Sequence, residues 1–531
     1  MPAWGLRYGG FTVVYILENP FDNDLIWNES SGQLEMRLSH RFQRNQPGKE
    51  HSILVRIGGD SPVETALQFR AWFREHNRFV TMREKIRATP DAARLLGAAH
   101  IYIWANSKWA ANDVTNWPAF ASVVRGGPAP PYVSALEKRQ ILASLTPEQE
   151  RAGSRYLAPE AERGSAISPR MMKLLHDAGF DRLWLGAPGK EVELARQSPE
   201  TLRLAHEYGF LFAPYDSYHS IHSPDEKDSW PTAQFHRKIF ETGAIVNESG
   251  AKSRGFQGKG YHLSSLAAAP YFKRRVEAIL GSASFNSWFV DCDATGELFD
   301  NYSAAFPQTK EQDMQQRVAR LEWLAHEKKL VVGSEGGAWF TTPAIHFAQG
   351  MLTPLFGWKD PLLRDPQSKY FLGKYWPPEA PAMFFQSVEL PEKYKALYFD
   401  PRYRLPLFEI AFHDSVIAAS HWTVSTLKFS NVRRIRELLE LLYGVPPLYH
   451  LNREEIEQRL PEIVPHYAVF TKLHREIGLL PMTDFSRLNK ERTVQRTVFG
   501  GSVEVTANFS GLPFRSGDSA VSPGSVSISR R

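Results

Sequence analysis

The run 286–339 constrains this chain more than any other. It opens with NSWFVDCDATGELFDNYS and closes with KLVVGSEGGAW, with a charged, helix-forming stretch between them. In that stretch Met314, Val318, Leu321 and Leu324 recur at spacings of three and four, which makes one face of a long helix apolar. Residues 287–290 and 330–332 are short β-branched runs of the kind that become strands buried on both faces. An acid follows each run: Asp291 directly after the first, Glu335 just past the second. The pattern is strand, crossover helix, second strand, with a carboxyl at the C-terminal end of both strands. In α/β barrels that end carries the chemistry.

The rest of the chain repeats this rhythm. Residues 1–62 are rich in β-formers with turn residues between them, and predict an N-terminal β-region, a partial sandwich. Over 63–92 the period becomes helical, with Ala66, Phe69 and Phe73 on one face, and a helical linker is expected. Within 93–485, runs at 97–105, 181–187, 210–220, 287–290, 330–332, 406–417, 445–452 and 479–483 read as strands with helices between. Alternation alone also fits an open doubly wound sheet. The number of strands, and polar residues at so many strand ends, favour an α/β fold of the (β/α)8 (TIM) barrel type, flanked by short N-terminal and C-terminal β-domains. Residues 486–514 predict a C-terminal β-hairpin domain, and the Ser-, Gly- and Arg-rich stretch 515–531 a disordered tail.

Composition narrows the function. A net charge of +5 over 531 residues is too dilute, and too little clustered, for a nucleic-acid surface. No apolar run approaches membrane-spanning length, so no membrane partner is expected. The single cysteine, Cys292, permits no internal disulfide. FTVVYIL near the start is short and lacks a cleavage site, so a cytoplasmic location is expected, or secretion if the N-terminus is truncated. Aromatics make up 12% of the chain, 14 of them Trp, which suits stacking on sugar rings but equally suits core filling.

If the barrel forms, its strand ends gather Tyr215, Asp216, Tyr218, Asp291, Asp293, Glu335, His413 and Asp414, with Trp339 nearby. Acids and aromatics without a Gly-rich phosphate loop describe a neutral, polyhydroxylated ligand. Asp291 and Glu335 are the expected catalytic pair. Asp291 should be ionised to attack, and Glu335 should carry a proton, its carboxyl raised by burial or by Asp291. Asp293, two residues on, is a rival for the same face, or a substrate contact. Tyr215, Asp216, Tyr218, Trp339, His413 and Asp414 are candidate substrate-binding residues, although Asp216 also suits a helix cap and His413 a satisfied core histidine. Cys292 is expected to face away from Asp291 as a bystander. His219 and His222 have HxxH spacing without a third ligand, and His100 has no HxH partner, so no metal and no cofactor is expected.

Taken in order, APYDSY, WFVDCDATGELFDNYS, LVVGSEGG and LFEIAFHDSVI resemble the α-N-acetylgalactosaminidases and endo-α-N-acetylgalactosaminidases of glycoside hydrolase families 129 and 101, over roughly residues 65–510. The resemblance implies a retaining α-glycosidase acting on a carbohydrate substrate with an α-linked galactose-type sugar. Asp291 would match the nucleophile, Glu335 the acid/base and Asp216 a substrate-binding acid. The spacing of the two catalytic acids resembles the exo-acting family more closely. The N-terminal β-region is shorter than that of the family. The alternatives that the residues leave open are a non-catalytic carbohydrate-binding barrel and, with less support, a metal-dependent barrel hydrolase.

Overall fold

The computed structural model describes residues 1–43, 46, 48–374, 382–516 and 519–530. Its centre is an eight-stranded parallel sheet curved almost into a closed barrel. The barrel strands are β1 (Ala99–Ile103), β2 (Leu183–Ala187), β3 (Leu211–Ser217), β4 (Ser287–Asp291), β5 (Val331–Glu335), β6 (Phe347–Gln349), β7 (Ile417–Ala419) and β8 (Leu448–Leu451). They are hydrogen-bonded in the order β7-β6-β5-β4-β3-β2-β1-β8. The seam between β7 and β8 is bridged by the chain after β7. The Thr426 N–H donates to Leu448 O at 2.7 Å, and the Leu448 N–H donates to Thr426 Oγ1 at 3.1 Å.

Strand residues alternate between the two faces. Tyr102, Trp184, Leu211, Ala213, Phe289, Val331, Phe347 and Leu448 fill the inside of the barrel. Trp288, Val290 and Val332 face outward, under the helices. Gly333 faces inward on β5, where a Cβ would stand 2.0 Å from the Phe347 ring. A side chain on β5 and the phenyl on β6 would compete for one space, and glycine resolves it.

Two of the expected barrel strands are corrected. Residues 406–417 fold mainly as the helix Leu407–Phe412, and β7 begins only at Ile417. Met482–Arg487 opens the C-terminal sheet instead of closing the barrel. The missing strand is β6, a three-residue run that follows a turn rather than a crossover helix. That is too short for a periodic pattern to be seen.

At the N-terminus, Ala3–Tyr8, Phe11–Leu17 and Ile53–Gly58 form an antiparallel sheet, and Asn23–Ser30 pairs with Gln33–His40. The region 63–92 is no loose linker. In the helix Glu64–Glu75, Phe69 and Phe73 pack edge-on against Phe412, with ring centroids 6.1 and 5.6 Å away. At the C-terminus, Met482–Arg487, Val494–Phe499, Val503–Asn508 and Ser525–Arg530 form a four-stranded antiparallel sheet. The expected disorder over 515–531 is therefore corrected for the described residues, 517, 518 and 531 lying outside them. Val526 and Ile528 alternate with serines and pack on the core, a period of two that the polar composition conceals. Among the described residues no helix is long and apolar enough to cross a membrane.

Candidate active site

Asp291 ends β4 and Glu335 ends β5, and Val290 pairs with Ser334 between these neighbouring strands. Both acids share the inward register of Phe289 and Gly333, which directs both carboxyls over the C-terminal mouth of the barrel. Asp291 is 9% exposed. Cys292 follows it with φ +64°, a left-handed conformation that turns its side chain back toward the mouth. Its thiol lies 3.3 Å from Asp291 Oδ2 and 3.3 Å from Glu335 Oε2. One oxygen of each carboxyl and the sulfur all lie within 4.8 Å of one another. The bystander reading of Cys292 is thus corrected: it assumed that the strand continued past Asp291.

The turn after Glu335 depends on Gly336. Its φ is +74°, and a Cβ there would stand 2.6 Å from Ala294 O. Without a side chain the loops after β4 and β5 meet, and the Ala338 N–H reaches Ala294 O at 2.8 Å.

His421, two residues past β7, stands 2.8 Å from Glu335 Oε1 through Nε2. Thr423 stands against His421 Nδ1, its N–H at 3.1 Å and its Oγ1 at 2.6 Å, which fixes the ring with Nε2 directed at Glu335. The Tyr215 hydroxyl donates to the Asp291 carboxyl. Asp291 Oδ1 is buried and has no hydrogen-bond partner. Below the pair, Tyr215 stacks on Phe289 at 5.7 Å and meets the edge of Trp422 at 5.9 Å. Tyr102 donates to Gln349 Oε1 at 2.9 Å. Aromatic rings and amide groups therefore line the pit beneath two carboxyls.

Two buried carboxyls this close hold one proton between them. Burial pushes the Asp291 carboxyl well above its usual range, and the charge of Glu335 pushes it further. Burial would also raise Glu335, but the charge and hydrogen bond of His421, together with hydrogen bonds from Asp291 and Cys292, outweigh it and hold it at about 2. In this arrangement the proton sits on Asp291, the reverse of the sequence expectation. The residue that reverses it, His421, was not among the candidates. Reading the seventh strand one element too early placed the polar strand end at His413–Asp414, when it lies at Ser420–His421.

Of the other candidates, only Tyr215 reaches the pair. Asp216 is the next residue on β3 and points outward. It accepts from the Tyr218 hydroxyl at 2.6 Å and from Arg275 Nη1 at 3.0 Å, and Tyr218 itself is buried against Phe272. Asp293 is buried with both oxygens bound to Arg320, each at 2.7 Å. Trp339 turns away, edge-on to Phe73 at 6.0 Å, and lines a cleft with Phe21 and Arg78. His413 and Asp414 precede β7 and so lie at the opposite end of the barrel. There His413 Nδ1 meets Leu480 O at 2.7 Å, and Asp414 takes Arg70 at 2.6 and 2.8 Å. Asp216, Tyr218, Asp293, Trp339, His413 and Asp414 therefore support the fold around the site and do not line it.

The HxxH pair separates. His222 bonds to Ser229 at 2.9 Å, whereas His219 meets His262 and Glu297, with one ligand atom of each within 4.8 Å of the others. Two imidazoles and a carboxylate are a donor set suited to a transition-metal ion.

A nearly closed parallel barrel with paired, close carboxyls and an aromatic pit at its C-terminal mouth defines a barrel glycosidase. The chain belongs to the glycosyl hydrolases related to family 101, family 129, whose family model matches residues 174–498. The α-N-acetylgalactosaminidase NagBb from Bifidobacterium bifidum has the same fold. In its GalNAc complex it superposes with a TM-score of 0.62 at 17% identity, covering 96% of this chain and 72% of that one. Its ligand-free form gives 0.62 at 18% identity, covering 96% and 73%. A cycloalternan-degrading enzyme from Trueperella pyogenes is similar more distantly, with a TM-score of 0.50 at 8% identity, covering 100% of this chain and 72% of that one. No curated protein matches the sequence.

Proposed function

We propose that this glycosidase is a retaining enzyme that removes an α-linked galactose-type sugar, with N-acetylgalactosamine, the sugar named for NagBb, as the first candidate. Asp291 attacks the anomeric carbon and displaces the leaving oxygen, which takes a proton from Glu335. Glu335 then removes a proton from water as that water cleaves the glycosyl-enzyme. The observation that carries this reading is the separation. Retaining pairs lie about 5–5.5 Å apart and inverting pairs about 6.5–9.5 Å, the larger gap admitting a water. One oxygen of each carboxyl lies within 4.8 Å of the other, which favours the closer, retaining spacing. The resting proton on Asp291 must pass to Glu335 before reaction, a short transfer within a pair that shares it.

The same proton favours a second reading, with the roles exchanged: Glu335 attacks and Asp291 donates. The test is hydrolysis of aryl α- and β-glycosides of galactose, N-acetylgalactosamine and glucose, with the anomer of the first product read by NMR. Release of one α-sugar with retained configuration is expected, and loss of about a thousandfold or more in both Asp291→Asn and Glu335→Gln. A first product of inverted configuration refutes the retaining mechanism. Azide added to Asp291→Gly and Glu335→Ala separates the roles. The variant lacking the nucleophile yields the β-glycosyl azide, and the variant lacking the acid yields the α-azide.

A further inference from the structure

We propose that the Cys292 thiol is a positioning residue of the carboxyl pair: its one proton is shared between Asp291 Oδ2 and Glu335 Oε2, and this bridge sets the pH span over which the pair holds a single proton. The inference rests on the proposed roles of Asp291 and Glu335 and deepens them.

Three independent features point to it. The first is backbone conformation. A residue other than glycine in the left-handed region costs about 1–2 kcal/mol, and such strain persists where the surroundings hold it in place. Here the Cys292 carbonyl is held by Thr295 Oγ1 at 3.0 Å and Arg317 Nη1 at 3.1 Å. With ordinary strand geometry the side chain after Asp291 would leave the mouth. The left-handed turn instead places the sulfur between the two acids. The second feature is donor supply. Asp291 Oδ1 is buried without a partner, so apart from the hydrogen bond the two carboxyls make with each other, the donors to this carboxyl are the Tyr215 hydroxyl and the thiol. The Glu335 carboxyl has His421 on Oε1 and the thiol on Oε2. The thiol is the group common to both. The third is that it keeps its proton. Burial, and then the negative charge of the neighbouring carboxyl pair, push it well above the usual thiol range, so it acts as a donor and not as a nucleophile or base.

A donor to either carboxylate favours its charged form, so removing the thiol makes both acids easier to protonate. In Cys292→Ala both limbs of the kcat/KM–pH profile should move to higher pH by about half a unit, and kcat/KM at the optimum should fall about tenfold. Cys292→Ser restores a donor and should return both limbs toward those of the parent. If the alanine variant loses activity with its limbs in place, the residue only packs, and the proposal is overturned. It is equally overturned if serine fails to return the limbs.

A measurement on the parent avoids dependence on the variant's folding. The chain has one cysteine, so its S–H infrared band is unambiguous. The band should lie at the lowered frequency of a hydrogen-bonded thiol and shift in both Asp291→Asn and Glu335→Gln. A band at the free-thiol position overturns the bridge. The two readings fail separately. Full turnover in Asp291→Asn or Glu335→Gln removes the assigned roles, whereas loss in both with an unmoved Cys292→Ala profile removes only the bridge.

Discussion

Glu335 and Asp293 are both acids near one barrel mouth, and their partners decide what each can do. Glu335 has an imidazole on one oxygen and a thiol on the other, and it borders the open pit. Asp293 is buried, with both of its oxygens bonded to Arg320. Removing His421 tests the first case. In His421→Ala the Glu335 carboxyl loses what holds it low, so the proton shared with Asp291 moves toward Glu335. If Glu335 is the acid, the basic limb of kcat/KM against pH shifts upward, and an unmoved limb argues that His421 does not control the pair. Arg320→Met tests the second. It leaves Asp293 charged and buried without a partner, with an expected loss of about 3–5 kcal/mol in urea unfolding. The double variant Arg320→Met/Asp293→Leu should recover most of that loss, since no unpaired charge remains.

At the scale of elements, adjacent strands place the chemistry by register. Asp291 and Glu335 meet because β4 and β5 pair in parallel, with each acid at its strand's end on the same inward face. A slip of one residue would turn one carboxyl out under the helices. Gly333 and Phe347 are partners in the next pairing, β5 with β6, the phenyl ring occupying the place of the absent Cβ. Gly333→Ala should therefore cost about 1–3 kcal/mol by overpacking. Adding Phe347→Leu should return part of it, as read in the unfolding midpoint. A neutral Gly333→Ala would show that β6 can shift without penalty.

The molecule as a whole buries several imidazoles in their neutral form. His346, His450 and His474 each accept at Nδ1, from the Val332 N–H, the Trp104 indole N–H and the Gly97 N–H, and His100 stands beside Gln349. Burial lowers each of these four from 6.5 to about 3. The unfolded chain then binds protons at these positions below pH 6.5, while the folded chain does not until near pH 3. Stability from these groups is present above pH 6.5 and is lost as pH falls toward 3. Glu191 and Glu409 act in the opposite sense. Burial raises them to about 8 and about 7, so their contribution is greatest below 4.5 and is lost as pH rises through those values. Asp291, raised by burial, acts in the same sense as the two glutamates, and with four imidazoles against three carboxyls the urea midpoint should still fall between pH 6.5 and 5. A midpoint that stays level or rises would contradict neutral burial of the histidines.

The sequence by itself determined the strand–helix–strand unit at 286–339, the acids ending its strands, and most of the barrel. Those are local properties: runs of β-branched residues, a helical period, and a carboxyl at a stated offset from each run. Tertiary structure alone decided which polar groups share the mouth. His421 arrives from a strand 126 residues beyond β4's last residue in the numbering, and β6 is too short to carry a period of its own. Cys292 faces the acids because its backbone leaves the strand at that residue, and no alternation pattern encodes a left-handed turn. Asp216, Asp293 and Asp414 look like site acids in the chain, and each is taken up by an arginine distant in sequence. A carboxylate's role depends on whether a counter-ion reaches it first, and that is settled only when the helices pack around the barrel.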